Sequence, residues 1–193
     1  MKNDWQKGIE ILKKGGVVIL PTDTLYGLIG QAMSKKAVER IYKIKGRNDK
    51  KPFILLINSL KDLAKFGVKI DKNQATFLEK IWPGQVSVIL PCPLAKLSYL
   101  HRGEKSLAFR MIGEKNKNLF NLINKVGPVV APSVNKEGEV PAENITVARK
   151  YFNDEVDLYI NSGSKKSLAS TLIKYVNNDW QVLRQGKIKI NIK

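Results

Sequence analysis

The sequence predicts one α/β domain, a sheet flanked by helices. A length of 193 residues is enough for one well-buried domain and too short for two comfortable ones. Short apolar runs typical of buried strands, at 17–20, 53–57 and 129–131, alternate with segments whose apolar residues recur at helical spacing. The sequence has no internal repeat and no apolar run of membrane-spanning length. Strands that alternate with helices favour the α/β class.

The charge balance favours a phosphate-bearing partner or substrate. The formal net charge is +17, from 34 basic and 17 acidic residues. Lysine supplies 28 of the basic residues, so part of this charge is a compositional drift that could coat any protein. The six arginines are the better guide, because the planar guanidinium binds phosphate or carboxylate at two points. Three of them, Arg47, Arg110 and Arg184, lie in the motifs described below.

The cysteine and histidine content excludes several kinds of site. The lone Cys92 excludes a disulfide framework and a cysteine-based zinc site, and the lone His101 excludes a histidine cluster. The first residues lack the apolar core of a signal peptide. These features favour a cytoplasmic location without membrane association.

The first helix and strand lead into a polar loop. Asp4 is expected to cap a helix that the glycine pair 15–16 ends, and strand 17–20 follows. Pro21 lacks an N–H donor and ends the ladder, so the polar residues 22–24 lie at the mouth of a strand. In open α/β sheets such loops carry ligand sites, although Thr and Asp in an ordinary turn also satisfy their own backbone.

A second helix, capped by Ser34, ends at the sequence Lys45-Gly46-Arg47. A polar loop then leads to the apolar strand 53–57. Lys45 and Arg47 flank a glycine where the helix dipole is negative, so they could simply cap that helix end. The loop ahead is crowded with cations, and this favours a site that holds a polyphosphate.

The middle of the chain contributes further helices and strands. Ser59 and Asp71 are expected to cap two helices, and residues 94–105 to form a surface loop between two strands. The second of these strands, 106–112, contains Arg110 as an isolated cation. Such a charge is usually solvated or paired, but the scarcity of arginine favours a role in which Arg110 faces a ligand.

A second polar loop follows strand 129–131. In extended conformation Ser133 and Asn135 point the same way and offer a hydroxyl and an amide to one ligand, unless they only form a turn. The elements expected next are a helix at 145–152 after Asn144, a strand at 157–160 and a hairpin of strands 170–173 and 180–184. We expect a domain over 1–186 and a C-terminal tail, 187–193, that is either an edge strand or disordered.

Five segments, in this order, resemble the threonylcarbamoyl-AMP synthase family, also called the YrdC domain. They are Pro21-Thr-Asp-Thr-Leu-Tyr-Gly-Leu28, Lys45-Gly-Arg47 with Pro52, Trp82-Pro-Gly84, Phe109-Arg110 with Ala131-Pro-Ser-Val-Asn135, and Ser170-Thr171 with Leu183-Arg184-Gln-Gly186. Each motif alone is weak, but together they span nearly the whole chain. The resemblance implies a YrdC-like twisted, open mixed sheet flanked by helices, with a basic concave cleft.

The resemblance also implies an activity. Such proteins are nucleotidyltransferases that join L-threonine, bicarbonate and ATP into threonylcarbamoyl-AMP plus pyrophosphate. The product passes to downstream threonylcarbamoyl-transfer proteins, which make N6-threonylcarbamoyladenosine at position 37 of tRNA. ATP is then a substrate, and Mg²⁺ is expected to ride on its oxygens, because the sequence shows no dedicated carboxylate cage and we assign no metal site. Direct contact with tRNA stays an open alternative.

The resemblance assigns roles residue by residue. The expected catalytic residues are Lys45 and Arg47, which match the family's triphosphate and carbamate clamp, and their partner pair Ser133 and Asn135. The expected nucleotide contacts are Lys45, Arg47, Ser106, Ser133 and Arg184. The expected threonine contacts are Thr24, Arg110, Ala131 and Ser170, with Arg110 suited to the carboxylate.

The chain departs from the family pattern in a few places. Ser-Val-Asn at 133–135 replaces the commoner Ser-Ala-Asn and keeps both polar groups. Leu56 lies where some relatives carry a threonine-contacting His, so one substrate contact is expected to be absent or supplied elsewhere. The sequence also lacks the extra C-terminal domain of a longer family branch, which would leave the cleft more open.

Two alternatives remain at the level of sequence. A non-catalytic RNA-binding module of YrdC type would use the same basic cleft, but phosphate affinity alone would tolerate lysine at the three arginine positions. A carbamoyl-transfer module of hydrogenase maturation shares this domain, but its acylphosphatase and zinc-finger segments are missing from the sequence.

Overall fold

A mixed nine-stranded sheet forms the centre of the structure, a computed structural model that describes residues 2–176 and 179–190. The strands are β1 (Val17–Pro21), β2 (Tyr26–Gln31), β3 (Ile54–Ile57), β4 (Val86–Pro91), β5 (Ser106–Met111), β6 (Val129–Val130), β7 (Leu158–Tyr159), β8 (Thr171–Val176) and β9 (Asp179–Arg184). They lie in the order β7-β1-β2-β6-β3-β5-β4-β8-β9. The pairs β1–β7, β3–β5 and β4–β8 are parallel and the others antiparallel.

Helices lie between the strands. They are α1 (Lys2–Lys13), α2 (Lys35–Lys45), α3 (Lys72–Ile81), α4 (Ser98–His101), α5 (Lys117–Val126) and α6 (Ile145–Phe152), with a longer 3₁₀ segment at Leu60–Phe66. The twisted, open α/β sheet that the sequence predicts is confirmed. Within the described residues, none of these helices is long and apolar enough to cross a membrane.

Buried apolar side chains pack on both faces of the sheet. In β1, Val17 and Ile19 belong to one core, which includes Val38 and Ile41 of α2. The alternate residues, at 18 and 20, belong to a second core between the sheet and helices α1 and α5. Burial on both faces explains why the 17–20 run is apolar throughout.

The other half of the sheet keeps one face partly open. In β5, Leu107 and Phe109 are buried, whereas Ser106 and Ala108 stay half-buried. Ala108 lies in register between Ile54 of β3 and Ile89 of β4, which are also only partly buried. A shallow, partly apolar surface therefore adjoins the cavity described below.

Most sequence-based boundaries are confirmed, because local capping chemistry decides them. Ser34, Ser59, Asp71 and Asn144 each accept a backbone N–H at the start of their helix. Asp71 also completes a capping box with Gln74.

Three predictions need correction. Asp4 is not an N-cap: the helix begins at Lys2, and Asp4 lies in its first turn, where the helix dipole favours an acidic residue. The expected surface loop at 94–105 instead contains α4, and its residues Leu100 and His101 are buried. Strand β2 was not expected, because its sequence contains two glycines and lacks alternation.

The C-terminal hairpin and tail agree with the sequence in part. β8 and β9 pair antiparallel as predicted, while the predicted turn residues 177–178 lie outside the described residues. The described part of the tail, 187–190, forms no strand. It is held to the domain by a hydrogen bond that the Thr171 hydroxyl donates to the Ile188 carbonyl and by packing of the Ile190 side chain on the core. Residues 191–193 of the predicted tail lie outside the described part.

Candidate active site

A cavity of about 150 Å³ collects most of the residues singled out from the sequence. Its walls come from the β1–β2 turn, the segment between α2 and β3, strand β5, the segment after β6, the residues just before β8 and the end of β9. Seven predicted residues line it: Thr24, Arg47, Arg110, Ala131, Ser133, Ser170 and Arg184. Residues far apart in the chain thus meet at one point.

The β1–β2 turn is held in shape by its own polar groups. The Thr22 hydroxyl donates to the Leu25 carbonyl at 2.6 Å and accepts the Thr24 N–H at 3.2 Å. The Thr24 hydroxyl lies 3.3 Å from that of Thr22 and is buried at the cavity. A Cβ on Gly27 would come within 2.8 Å of side chains of Thr22 and Ile29, so packing requires glycine there. Thr22 therefore satisfies the turn through its hydroxyl, and both Thr22 and Thr24 line the cavity.

Arg110 is buried and paired. Its Nη2 lies 2.9 Å from Oδ1 of Asp23, and the two side chains are only 5% and 7% exposed. Burial lowers the pKa of Arg110, and the Asp23 carboxylate opposes that shift. The Arg110 Nε has no hydrogen-bond partner among the described residues, so the protein does not saturate the guanidinium. An arginine that is both paired and unsaturated, in a cavity wall, suits a small carboxylate ligand.

Asp23, the partner of Arg110, was not assigned to the site from the sequence. Its backbone carbonyl accepts a hydrogen bond from the Gln85 side chain at 2.5 Å, which ties the β1–β2 turn to the start of β4. An acidic residue in a strand-mouth loop and a lone arginine on a strand were both visible in the sequence. Their pairing was not, because 87 positions of chain separate residues 23 and 110.

Lys45 does not line the cavity. It is 1% exposed, and its Nζ donates to the carbonyls of Ser133 and Asn135 at 2.8 and 2.6 Å and to Asn135 Oδ1 at 2.9 Å. These three contacts match the three donors of an ammonium group. Burial first, and then the charge of Arg47, lower the pKa of Lys45 to about 8. Lys45 thus joins the two predicted catalytic motifs.

Ser133 and Asn135 contact each other. The Ser133 hydroxyl donates to Asn135 Oδ1 at 2.7 Å, and Ser133 lines the cavity. The Asn135 amide nitrogen donates to the carbonyls of Lys136 and Glu139 at 2.8 and 2.7 Å. Both ends of the Asn135 side chain are therefore engaged by the protein, whereas the Ser133 hydroxyl lies at the cavity wall.

Arg47 lies at the mouth of the cavity, beside Phe53. Its guanidinium carbon is 5.4 Å from the centre of the Phe53 ring, and its Nε donates to the Lys51 carbonyl at 3.2 Å. The helix end before it is capped by Gly46, whose φ of 61° is left-handed, and by Lys136, which donates to the Ile44 carbonyl. The guanidinium of Arg47 is not used to cap the helix.

Arg184 and Ser170 form the far wall. Arg184 donates to the Ser170 carbonyl through Nε and Nη2, at 3.1 and 2.9 Å. The buried Ser170 hydroxyl lies 2.8 Å from that of Ser87. Ser106 lies apart from the cavity, on the half-open face of β5 that also carries Arg110. Leu56 is fully buried in the second core.

Positive charge predominates around the cavity. Three guanidinium groups, at 47, 110 and 184, line it, and one of them, Arg110, is paired with the Asp23 carboxylate. Among residues 2–176 and 179–190, no three His, Cys, Asp or Glu side chains come together as metal ligands. The arrangement suits an anionic ligand with more than one charged group.

Comparison with known proteins agrees with this geometry. The Sua5/YciO/YrdC family model, whose description is telomere recombination, matches residues 10–186. A threonylcarbamoyl-AMP synthase of Hahella chejuensis is 27% identical over 157 residues, which is 80% of this chain and 84% of the relative.

Solved structures give the same result. Pyrococcus abyssi Sua5 complexed with L-threonine superposes with a TM-score of 0.85 at 26% identity, over 94% of this chain and 54% of that one. The chain therefore spans about half the length of that protein. Escherichia coli YciO superposes with a TM-score of 0.83 at 24% identity, over 97% of this chain and 91% of that one, which supports the fold.

The family match over residues 10–186 agrees with the order of the five motifs and with the fold of the sheet. The chain therefore belongs to the Sua5/YciO/YrdC family.

Proposed function

We propose that the protein is a threonylcarbamoyl-AMP synthase, which condenses L-threonine, bicarbonate and ATP into threonylcarbamoyl-AMP and pyrophosphate. The observation that carries the proposal is the convergence of Arg110, Thr24 and Ser170 in one small cavity, with Arg47 and Arg184 at its border. Relatives that carry this activity in their name, and a relative solved with L-threonine, support it.

The enclosed space suits an amino acid better than a nucleotide. At about 150 Å³ it is smaller than the roughly 300–1,000 Å³ of sites that enclose drug-sized ligands. In our proposal Arg110 binds the threonine carboxylate, Thr24 and Ser170 offer hydroxyls to its polar groups, and Ala131 forms an apolar wall. The nucleotide then lies outside the enclosed part, toward Arg47, Arg184 and the half-open face with Ser106.

The reaction needs placement and charge neutralisation more than covalent catalysis. The threonine amine adds to bicarbonate with loss of water and gives a carbamate. A carbamate oxygen then attacks the α-phosphate of ATP, the bond to the β-phosphate breaks, and pyrophosphate leaves. Arg47 and the Ser133 hydroxyl would neutralise and orient the reacting oxygens, while Lys45 and Asn135 hold the two motifs together. Mg²⁺ would enter as the MgATP substrate.

The surroundings of the reaction follow from the same proposal. The product is an activated carbamoyl adenylate, so we propose that it passes to threonylcarbamoyl-transfer proteins that modify tRNA in the cytoplasm. A non-catalytic RNA-binding module would need the positive charge but not a small cavity with a buried arginine. The cavity therefore favours the enzyme.

The test is pyrophosphate release with MgATP and bicarbonate, with and without L-threonine. We expect release that depends on both threonine and bicarbonate. Arg47→Ala should lower the rate by roughly 10²–10³, the usual cost of one transition-state contact, with an unchanged melting temperature. Arg149→Ala is the matched control, because Arg149 stacks on Tyr159 away from the cavity. Wild-type turnover in Arg47→Ala would remove this residue from the mechanism.

A further inference from the structure

Glu137 follows the Ser133–Asn135 motif and was not predicted to take part in the site. Its Oε2 accepts the backbone N–H of Asn48 at 2.5 Å, and its Oε1 lies 3.1 Å from Lys51 Nζ. Its own N–H donates to the Lys45 carbonyl at 3.0 Å. One carboxylate therefore contacts both ends of the short segment that follows Arg47.

That segment is a closed turn. The Lys51 N–H donates to the Asn48 carbonyl at 3.1 Å, the Lys50 N–H donates to Asn48 Oδ1 at 2.9 Å, and Arg47 Nε donates to the Lys51 carbonyl at 3.2 Å. Because Arg47 is bonded to the end of the turn, its guanidinium moves with the turn. We call residues 47–51 the Arg47 turn.

The Arg47 turn is held by contacts with α2 and with Glu137. It follows Gly46, whose φ of 61° is left-handed, and the Arg47 N–H donates to the Tyr42 carbonyl at 3.2 Å. On one side the Tyr42 hydroxyl donates to the Lys51 carbonyl at 3.0 Å. On the other side stands Glu137, whose pKa is lowered first by the Asn48 N–H and then by Lys51, so that it is ionised at neutral pH.

We propose that Glu137 is a positioning residue for ATP binding, which holds the Arg47 turn so that the guanidinium faces the cavity. This rests on the proposed role of Arg47 as a phosphate contact. The negative charge of Glu137 would repel a nearby triphosphate. The hydrogen bond that Glu137 accepts from the Asn48 N–H is therefore the contact that favours ATP binding. The two properties can be separated, because glutamine keeps an acceptor oxygen and removes the charge.

The experiment measures the Kd of MgATP by calorimetry, without threonine or bicarbonate. We expect Glu137→Ala to raise Kd about tenfold, the low end for a hydrogen bond to a charged group, since the side chain is partly exposed. Glu137→Gln should bind MgATP as well as wild type or better. Glu139→Ala is the matched control, because Glu139 is exposed and its hydrogen bonds to Lys136 and Asn135 are made by its backbone, which alanine keeps.

A double-mutant cycle separates positioning from general damage. If Glu137 acts through Arg47, adding Glu137→Ala to Arg47→Ala should cause no further rise in Kd. An unchanged Kd in Glu137→Ala, a defect in Glu137→Gln as large as in Glu137→Ala, or additive effects in the cycle would each overturn the inference. If the wild-type protein bound MgATP normally but formed no product, the proposed synthase activity would be contradicted. The double-mutant cycle could still be interpreted, because it measures only MgATP binding.

Discussion

The replacement of Arg110 by lysine tests the threonine site most sharply, because it keeps the charge and removes the fork. One nitrogen of Arg110, Nη2, lies 2.9 Å from Asp23 Oδ1. A planar guanidinium can contact a second carboxylate at the same time. A lysine ammonium at this position has a shorter reach and no such fork. It will stay with the buried Asp23, which would otherwise lose its partner, and the substrate contact will be lost.

The size of the effect follows from burial. The side chains of Arg110 and Asp23 are both less than one-tenth exposed. Solvent would therefore screen a contact between Arg110 and the threonine carboxylate only weakly. A hydrogen bond to a charged group contributes about 1.5–3 kcal/mol, which corresponds to roughly a 10- to 150-fold change in an equilibrium constant. We therefore expect Arg110→Lys to raise the threonine KM by about that factor and to change the ATP KM little.

The assay is initial velocity against threonine at saturating MgATP and bicarbonate. Arg149→Lys is the matched control, since Arg149 stacks on Tyr159 away from the cavity. An Arg110→Lys defect that appeared only in the ATP KM, or no defect at all, would mean that the amino acid binds elsewhere.

Three further predictions concern the neighbouring residues. Asn135→Ala should lower both activity and melting temperature, because it removes one of the three acceptors of Lys45, the acceptor of the Ser133 hydroxyl and a donor to two carbonyls. Ser133→Thr should keep most activity. Calorimetry and turnover check this, and full stability in Asn135→Ala would contradict it. ATP affinity should fall as the pH rises above about 8, where Lys45 becomes neutral and keeps too few donors for three acceptors. The folded pKa lies below the unfolded one, so this titration favours the folded state as pH rises, and a parallel loss of melting temperature would refute the reasoning. Serine should be used better than valine, because valine has no hydroxyl to bond with those of Thr24 and Ser170, and equal use of valine would exclude this pocket as the threonine site.

Local chemistry made much of the fold predictable. Helix starts were found because Ser34, Asp71 and Asn144 cap them with side chains that are visible in the sequence. The continuous apolar run 17–20 indicated a buried strand, and the structure shows it buried on both faces. Strand β2 was missed, since its glycines serve close packing against Thr22 and α2 and not the alternation that marks a strand.

The sequence named candidate site residues but could not show how they are arranged. The motif resemblance selected seven residues that share one cavity, although the chain separates them widely. It could not show that Lys45 is buried behind the cavity, because the three oxygens that hold it come from residues 133 and 135. Asp23 and Glu137 were not assigned for the same reason. The tertiary fold brings Asp23 to Arg110 and Glu137 to the Arg47 turn, and the sequence shows neither contact.

The most direct test of the proposed synthase is the fate of carbon from labelled bicarbonate. The purified protein would be incubated with MgATP, L-threonine and ¹³C-bicarbonate, and the adenylate product analysed by mass spectrometry while pyrophosphate is measured in parallel. We predict an adenylate that contains both threonine and the heavy carbon, formed in equal amount with pyrophosphate. Release of ADP and phosphate, or an adenylate without the heavy carbon, would contradict the account.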